Sequence, residues 1–253
     1  MVKKAEITIA TVNTFFGKTL RAEDGFRAVK DIDILLLQET YLEKPDSARK
    51  SLALAGFDMV AHNPLLGFSI AKRNASRVRL VSNSVRDVVL QHDSRFGVWM
   101  TRHYSRRPFT EIPKGLIAAT FETGFRQRIM VVSTHAPVVT SPRRRVGFLQ
   151  ELAVELTNSC YSGNLVLAGD KNHYPRARKP DVVFQKSTGL TAVELGGAYT
   201  WPSKHTGYLE SKLGRLYGGQ LDDMLYRGSL QNIGANVVDV VSDHRAIVGR
   251  FVL

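Results

Sequence analysis

Short apolar runs recur along the chain, separated by Gly, Asn, Asp, Ser and Pro. Runs at Ile7–Val12, Ile32–Leu37, Gly67–Ala71, Val78–Val81, Gly97–Met100, Leu116–Phe121, Ile129–Val132, Leu165–Ala168, Leu221–Leu225, Val237–Val241 and Ala246–Phe251 predict strands. Several are almost uninterrupted, the pattern of strands covered on both faces. Helical periodicity is rarer. Ser141-Pro142 offers an N-cap followed by proline at the first helical position, and Val146, Leu149, Ala153 and Leu156 then share one face. Asp46–Ala55, closed by Gly56, predicts a second helix and Arg21–Lys30 a third. Strands in groups with helices between them predict a layered α/β (α+β) fold. The even spacing predicts one domain over residues 1–253.

Composition narrows the class. Hydrophobic residues are 43% and charged residues 23% of 253, which excludes a disordered, collagenous or coiled-coil chain. No apolar run approaches the ~18–20 residues that cross a bilayer, and the first strand is too short and too broken by Thr for a signal peptide. The single cysteine, Cys160, cannot form an internal disulfide and favours an intracellular setting, cytoplasmic or nucleoid-associated. A monomer without a disulfide-linked partner is expected. Lys and Arg number 35 against 23 Asp and Glu, a net charge of +12, which points to a polyanionic partner.

The chemistry lies where the apolar runs end. They deliver Asn13, Gln38-Glu39, Ser133-Thr134-His135, Gly169-Asp170-Lys171-Asn172 and Ser242-Asp243-His244, and open sheets hold their sites at strand ends. Turn preference explains Asn, Asp and Ser at one or two of these places, but not Glu39 or His135. Asp222 sits inside the run Leu221–Leu225, where a carboxylate is costly unless paired or coordinated. Glu39, Asp170, Asn172 and Asp243 are hard oxygen donors suited to Mg²⁺ or Mn²⁺, and His135 and His244 are groups that can stabilise charge or shuttle protons near neutral pH. Metal, carboxylate and imidazole together suit attack of water on a phosphate ester.

These segments resemble the endonuclease/exonuclease/phosphatase superfamily, the deoxyribonuclease I-like proteins. Val12-Asn13, Leu37-Gln38-Glu39-Thr40, Gly67 to Arg73, Thr134-His135-Ala136-Pro137, Gly169–Asn172, Tyr199-Thr200-Trp201, Gln220-Leu221-Asp222 and Ser242-Asp243-His244 follow the family order. The resemblance implies a four-layer sandwich of two packed mixed β-sheets flanked by helices. It implies that Glu39 is the principal metal ligand, with Asn13 beside it and Asp243 as a further ligand. It implies that Asp170 activates water, that Asn172 holds water and a phosphate oxygen, and that His244, fixed by Asp222, stabilises the phosphate. His135 would lie near the leaving oxygen. Lys171 stands where the family usually has an aromatic or aliphatic residue.

Basic clusters accompany these loops: Arg102, Arg106 and Arg107; Arg143, Arg144 and Arg145; Arg176, Arg178 and Lys179; Lys204, Lys212 and Arg215. The second opens a helix, where cations gain nothing from the dipole, so an anion is expected beside it. Arg143, Arg144, Arg145, Arg176, Arg178 and Lys171 are therefore candidate contacts to DNA or RNA, and Trp201, with Tyr161, Tyr174 and Tyr199, a candidate for stacking. The expected activity is that of a metal-dependent nuclease. The alternative is a phosphatase or phosphodiesterase of a small or lipid phosphate ester, of inositol phosphate or sphingomyelin type, which would use the same residues.

Overall fold

Buried alternation and near-continuous apolar runs generate strands, and the structure, a computed structural model, pairs them into two sheets. It describes residues 5–22, 24–40, 45–82, 84–105, 109–124, 126–137, 141–158, 163–172, 178–204 and 219–253. In chain order the first half comprises β1 (Glu6–Asn13), α1 (Lys18–Arg21), β2 (Ile34–Gln38), α2 (Pro45–Leu54), β3 (Phe57–Asn63), β4 (Phe68–Arg73), β5 (Arg79–Leu80), β6 (Arg86–His92), α3 (Arg95–Ser105) and β7 (Pro113–Glu122). The second half comprises β8 (Arg128–His135), α4 (Pro142–Asn158), β9 (Asn164–Asp170), α5 (Arg178–Thr188), β10 (Thr191–Ala192), β11 (Asp222–Arg227), β12 (Gln231–Asp239) and β13 (Arg245–Val252).

Among the described residues, one sheet is six-stranded in the order β12-β13-β1-β2-β4-β3. The other is seven-stranded, β10-β11-β9-β8-β7-β5, with β6 also on β7. β1–β2 and β8–β9 are parallel and the other pairs antiparallel, so both sheets are mixed. Ile7, Ile9, Ile34 and Leu36 of one sheet meet Ile117, Phe121, Val131 and Val166 of the other in the central core. The opposite faces are covered separately. Leu35 and Leu37 pack with Ala48 and Leu52 of α2, and Leu116, Val132 and Leu167 with Phe148, Leu152 and Leu156 of α4. Helix, sheet, sheet and helix are thus the four expected layers.

The sheets are pinned together beside their functional ends. Gln38 Nε2 donates to Ser133 Oγ across the interface (2.7 Å), and Thr11 Oγ1 donates to Gln38 Oε1 (3.2 Å). All three are buried, so these bonds fix one sheet's register against the other at low dielectric.

Two expectations are corrected. Gly97–Met100 belongs to α3 and not to a strand, because Ser94 caps a helix there, its Oγ accepting the Gly97 N–H (3.0 Å). Arg21–Lys30 is no continuous helix: α1 ends at Arg21 and a 3₁₀ turn occupies Arg27–Val29. Between them, a Cβ on Gly25 would lie 1.9 Å from the Thr19 carbonyl oxygen, so the chain folds back on itself. Among the described residues no helix is long and apolar enough to cross a membrane.

Candidate active site

Asn13 ends β1, Glu39 follows β2, His135 ends β8, Asp170 ends β9 and Asp222 opens β11. The Ser242-Asp243-His244 turn precedes β13. The same edge of both sheets therefore brings these side chains together. Asn13 Nδ2 donates to Glu39 Oε1 and to Asp170 Oδ2, each at 3.2 Å, bridging an acid from each sheet. Its own Oδ1 accepts the Phe15 N–H (3.0 Å). His244 Nδ1 donates to Asp222 Oδ2 (2.8 Å), and its Nε2 lies 3.8 Å from Asp170 Oδ2. His135 Nε2 stands 3.6 Å from the same Asp170 oxygen.

Backbone geometry aims these groups. Asn172 N–H donates to Asp170 Oδ1 (2.7 Å), and Asn172 Nδ2 to the Ala136 carbonyl (2.9 Å). Glu39 (φ 59°) and Asn172 (φ 50°) occupy the left-handed region, as do Phe15 (47°) and Phe16 (53°) beside them. Non-glycine residues hold this conformation at a cost of about 1–3 kcal/mol each where the surroundings enforce it, commonly at functional sites. Gly169 is required for close packing: a Cβ there would sit 1.9 Å from the Thr134 carbonyl oxygen. Thr200 Oγ1 accepts the N–H groups of Leu221 and Asp222 (2.9 and 3.0 Å) and so sets the strand that carries the histidine's partner. Ser242 Oγ reaches the Asn13 carbonyl (2.6 Å), tying the histidine turn to β1.

Electrostatics follow from crowding buried acids. Loss of solvation, then the Asp243 charge, raises Glu39 from an ordinary 4.5 to about 7. Loss of solvation raises Asp170 from 3.8 to about 6, against the pull of His244. Asp243 is also raised, again by burial first. Burial alone would lower His244, but Asp222, Asp243 and Asp170 outweigh it and hold the imidazole well above 6.5. His135 goes the other way, lowered by burial and then by Lys114 and His244. A cationic and a neutral imidazole thus face one carboxylate.

Glu39, His135 and Asp170 have ligand atoms within 4.8 Å of one another, as do Asp170, Asp222 and His244. Oxygen donors predominate, and burial, then the neighbouring Asp243 charge, pushes the Glu39 carboxyl up to about 7. A divalent cation of the Mg²⁺ or Mn²⁺ kind fits that donor set.

The remaining candidates sort differently. Arg143 and Arg144 are exposed at the start of α4. Arg145 turns inward at 7% exposure, donating to the Asn172 carbonyl (2.9 Å) and pairing with Asp181 (3.2 Å). The anion expected at this helix start is, for Arg145, Asp181 of α5. Lys171 is buried at 1%, 3.3 Å from Asp223 Oδ2 and over the Phe184 ring. Neither side chain faces solvent, which argues against the expected substrate contact at either. Trp201 is half-buried, and Tyr199 is exposed. Arg106, Arg107, Tyr161, Tyr174, Arg176, Lys212 and Arg215, with the side chains of Arg178 and Lys179, lie outside the described residues.

Sequence reasoning missed Lys114 and Asp93. Lys114 is 2% exposed, its Nζ 3.2 Å from His135 Nε2, 3.3 Å from His135 Nδ1 and 3.5 Å from Asp93 Oδ2. The available signal was a lysine opening the apolar run Gly115–Phe121, where burial of an ammonium demands a partner.

No protein-family model matches the sequence, and no curated protein matches it. Solved structures do. An endonuclease/exonuclease/phosphatase family protein from Bacteroides thetaiotaomicron superposes with a TM-score of 0.71 at 15% identity, over 99% of each chain. The chain has the endonuclease/exonuclease/phosphatase fold. The same fold relates it to D. rerio TDP2 complexed with a single-strand DNA product, with a TM-score of 0.66, 16% identity, and coverage of 98% of this chain and 99% of that one. A mannosyl-6-phosphatase from Bacteroides thetaiotaomicron aligns at a TM-score of 0.69 and 14% identity, over 98% of this chain and 100% of its own. On this endonuclease/exonuclease/phosphatase scaffold the cluster described above lies at the shared edge of the two sheets.

Proposed function

We propose that the chain is a metal-dependent phosphodiesterase that hydrolyses DNA or RNA. The observation that carries this reading is the His244 imidazole held by Asp222 at 2.8 Å with Asp170 on its other side at 3.8 Å. Asp170, with a pKa near 6, is ionised at neutral pH and takes the proton of the attacking water. Asp222 fixes Nδ1–H of His244, so Nε2–H is turned to a non-bridging phosphate oxygen and meets the charge that grows there. Water oxygen bonds to phosphorus, the bond to the leaving oxygen breaks, and that oxygen takes up a proton. Lys114 and His135 are the donors and relays at hand on the β8 side. Glu39 and Asp243 would hold the cation, with Asn13 keeping Glu39 in place and Asn172 contacting water or phosphate. Bound there, it would neutralise phosphate charge.

A net charge of +12, the exposed Arg143 and Arg144, and a structural relative that holds a DNA product support a nucleic acid as substrate. The mannosyl-6-phosphatase relative favours a second reading, hydrolysis of a small phosphate monoester. The two separate experimentally: nicking of supercoiled plasmid and cleavage of single-stranded oligonucleotides is measured beside phosphate release from sugar and inositol phosphates. Cleavage of the polymers alone supports the nuclease. Release from the monoesters alone replaces it with a phosphatase.

A further inference from the structure

Among the described side chains of helix α3, Gly97 and Thr101 are buried, whereas Phe96 is 50% and Trp99 55% exposed. A Cβ on Gly97 would press on the side chain of Asp93, just before the helix, at 3.1–3.3 Å. The large rings are left outside, where soluble proteins seldom leave several in a row. They are also ordered relative to one another. Phe96 and Trp99 stack at 5.6 Å and 26°, and Trp99 and His103 at 5.8 Å and 17°. Spaced three and four residues apart, they form one continuous aromatic face. Arg95 and Arg102 are exposed on the same helix.

This helix stands at the site. It connects β6 to β7 at the sheet edge where Gly115 pairs with His135, and Asp93, just before its first turn, contacts Lys114. At ~1.5 Å rise per residue, Trp99 lies roughly 6 Å along the axis from Arg95, where the helix begins. That is about the length of two bases stacked at ~3.4 Å.

Resting on the phosphodiesterase reading above, we propose that the aromatic face of α3 is a stacking platform for unpaired bases of the nucleic-acid strand whose phosphate enters the site. Rings at near-parallel angles present π-faces to bases of any sequence, and arginines on the same helix meet the phosphates between them. A duplex hides its base faces, so the platform selects single strands, gaps or frayed ends. An anionic lipid surface also engages rings and arginines together; the position of these rings beside the hydrolytic site favours the strand whose phosphate enters it.

The test compares wild type with Phe96→Ala/Trp99→Ala for binding of oligothymidylate and of an abasic strand of equal length, in EDTA so that neither is cut. The double variant should bind oligothymidylate about ten- to a hundredfold more weakly and the abasic strand as wild type does. Trp99→Phe, which keeps a ring, should retain most of the affinity. Trp99 fluorescence, taken as wild type minus Trp99→Phe, should be quenched by oligothymidylate and not by the abasic strand, and this readout holds even if the double variant misfolds. Unchanged oligothymidylate affinity, or an equal loss for the abasic strand, overturns the platform. So does binding to anionic vesicles that alone is lost in the variant. Hydrolysis of bis(4-nitrophenyl) phosphate, too small to reach α3, should be the same in both proteins. If wild type hydrolyses no phosphate ester, the phosphodiesterase reading fails while the binding comparison still decides the platform.

Discussion

Replacing Asp170 by Asn should end turnover and make the cation-free protein more stable at alkaline pH. Asp170 is 2% exposed, and its pKa rises from 3.8 unfolded to about 6 folded. A carboxyl raised on folding favours the native state fully below pH 3.8 and loses that contribution as pH climbs through about 6. At ~1.36 kcal/mol per pH unit, keeping it ionised costs the fold about 3 kcal/mol at ~pH 8 and about half that at ~pH 5. The amide avoids that cost. It keeps an oxygen for the Asn172 N–H but presents an NH₂ to Asn13 Nδ2, now 3.2 Å from Oδ2. That lost bond is worth about 1 kcal/mol. The net expectation is a gain of about 2 kcal/mol at ~pH 8 and little change at ~pH 5, hence a melting temperature raised by roughly 4–8 °C at the higher pH only. Thermal unfolding followed by circular dichroism in EDTA at both pH values measures it. A variant that melts below wild type at the higher pH, or whose offset is the same at both, refutes the assignment of Asp170 as a strained acid.

Arg145→Ala should destabilise the protein by about 3 kcal/mol in urea unfolding, because it removes the buried ion-pair partner of Asp181, and adding Asp181→Asn should restore part of the loss. Replacing the exposed Arg143 and Arg144 by Ala should leave stability unchanged but flatten the log–log salt dependence of nucleic-acid binding by about 0.7–0.9 per lost contact, and an unchanged slope removes them from the contact surface. Gly169→Ala should cut both activity and melting temperature, since its Cβ would meet Thr134 oxygen at 1.9 Å, whereas Gly124→Ala, with nothing within 4 Å, should change neither.

The layers were legible because both sheets bury both faces, which leaves near-continuous apolar runs such as Leu116–Phe121 and Leu165–Ala168 in the sequence. Strands that are covered on one face only were not. In β6 exposed and half-buried residues alternate, so it does not stand out from a polar loop until it is paired; in β12 the same pattern hides Gln231–Asn236, and only its end falls within the predicted run Val237–Val241. Gly97–Met100 reads as a strand because its apolar residues are consecutive, and only the Ser94 cap and the packing on Asp93 make it helical. Glu39, His135, Asp170 and His244 were visible as chemistry at strand ends. What the sequence hides is direction. Arg145 looks like its two neighbours, yet the helix turns it toward Asp181 and the other two toward solvent. Lys114 and Asp93 are distant in type and sequence from His135, and the register of β6 on β7 and β7 on β8 is what joins them.

The central claim is that this cluster hydrolyses phosphate esters with a bound cation and His244. Its most direct test is the turnover of bis(4-nitrophenyl) phosphate and the nicking of supercoiled plasmid by wild type and His244→Ala, each in Mn²⁺ or Mg²⁺ and in EDTA. Wild type should be active with metal and inactive in EDTA, and kcat should fall by about 10²–10³ in the folded variant. Full activity in EDTA, or near-normal turnover without His244, would contradict it.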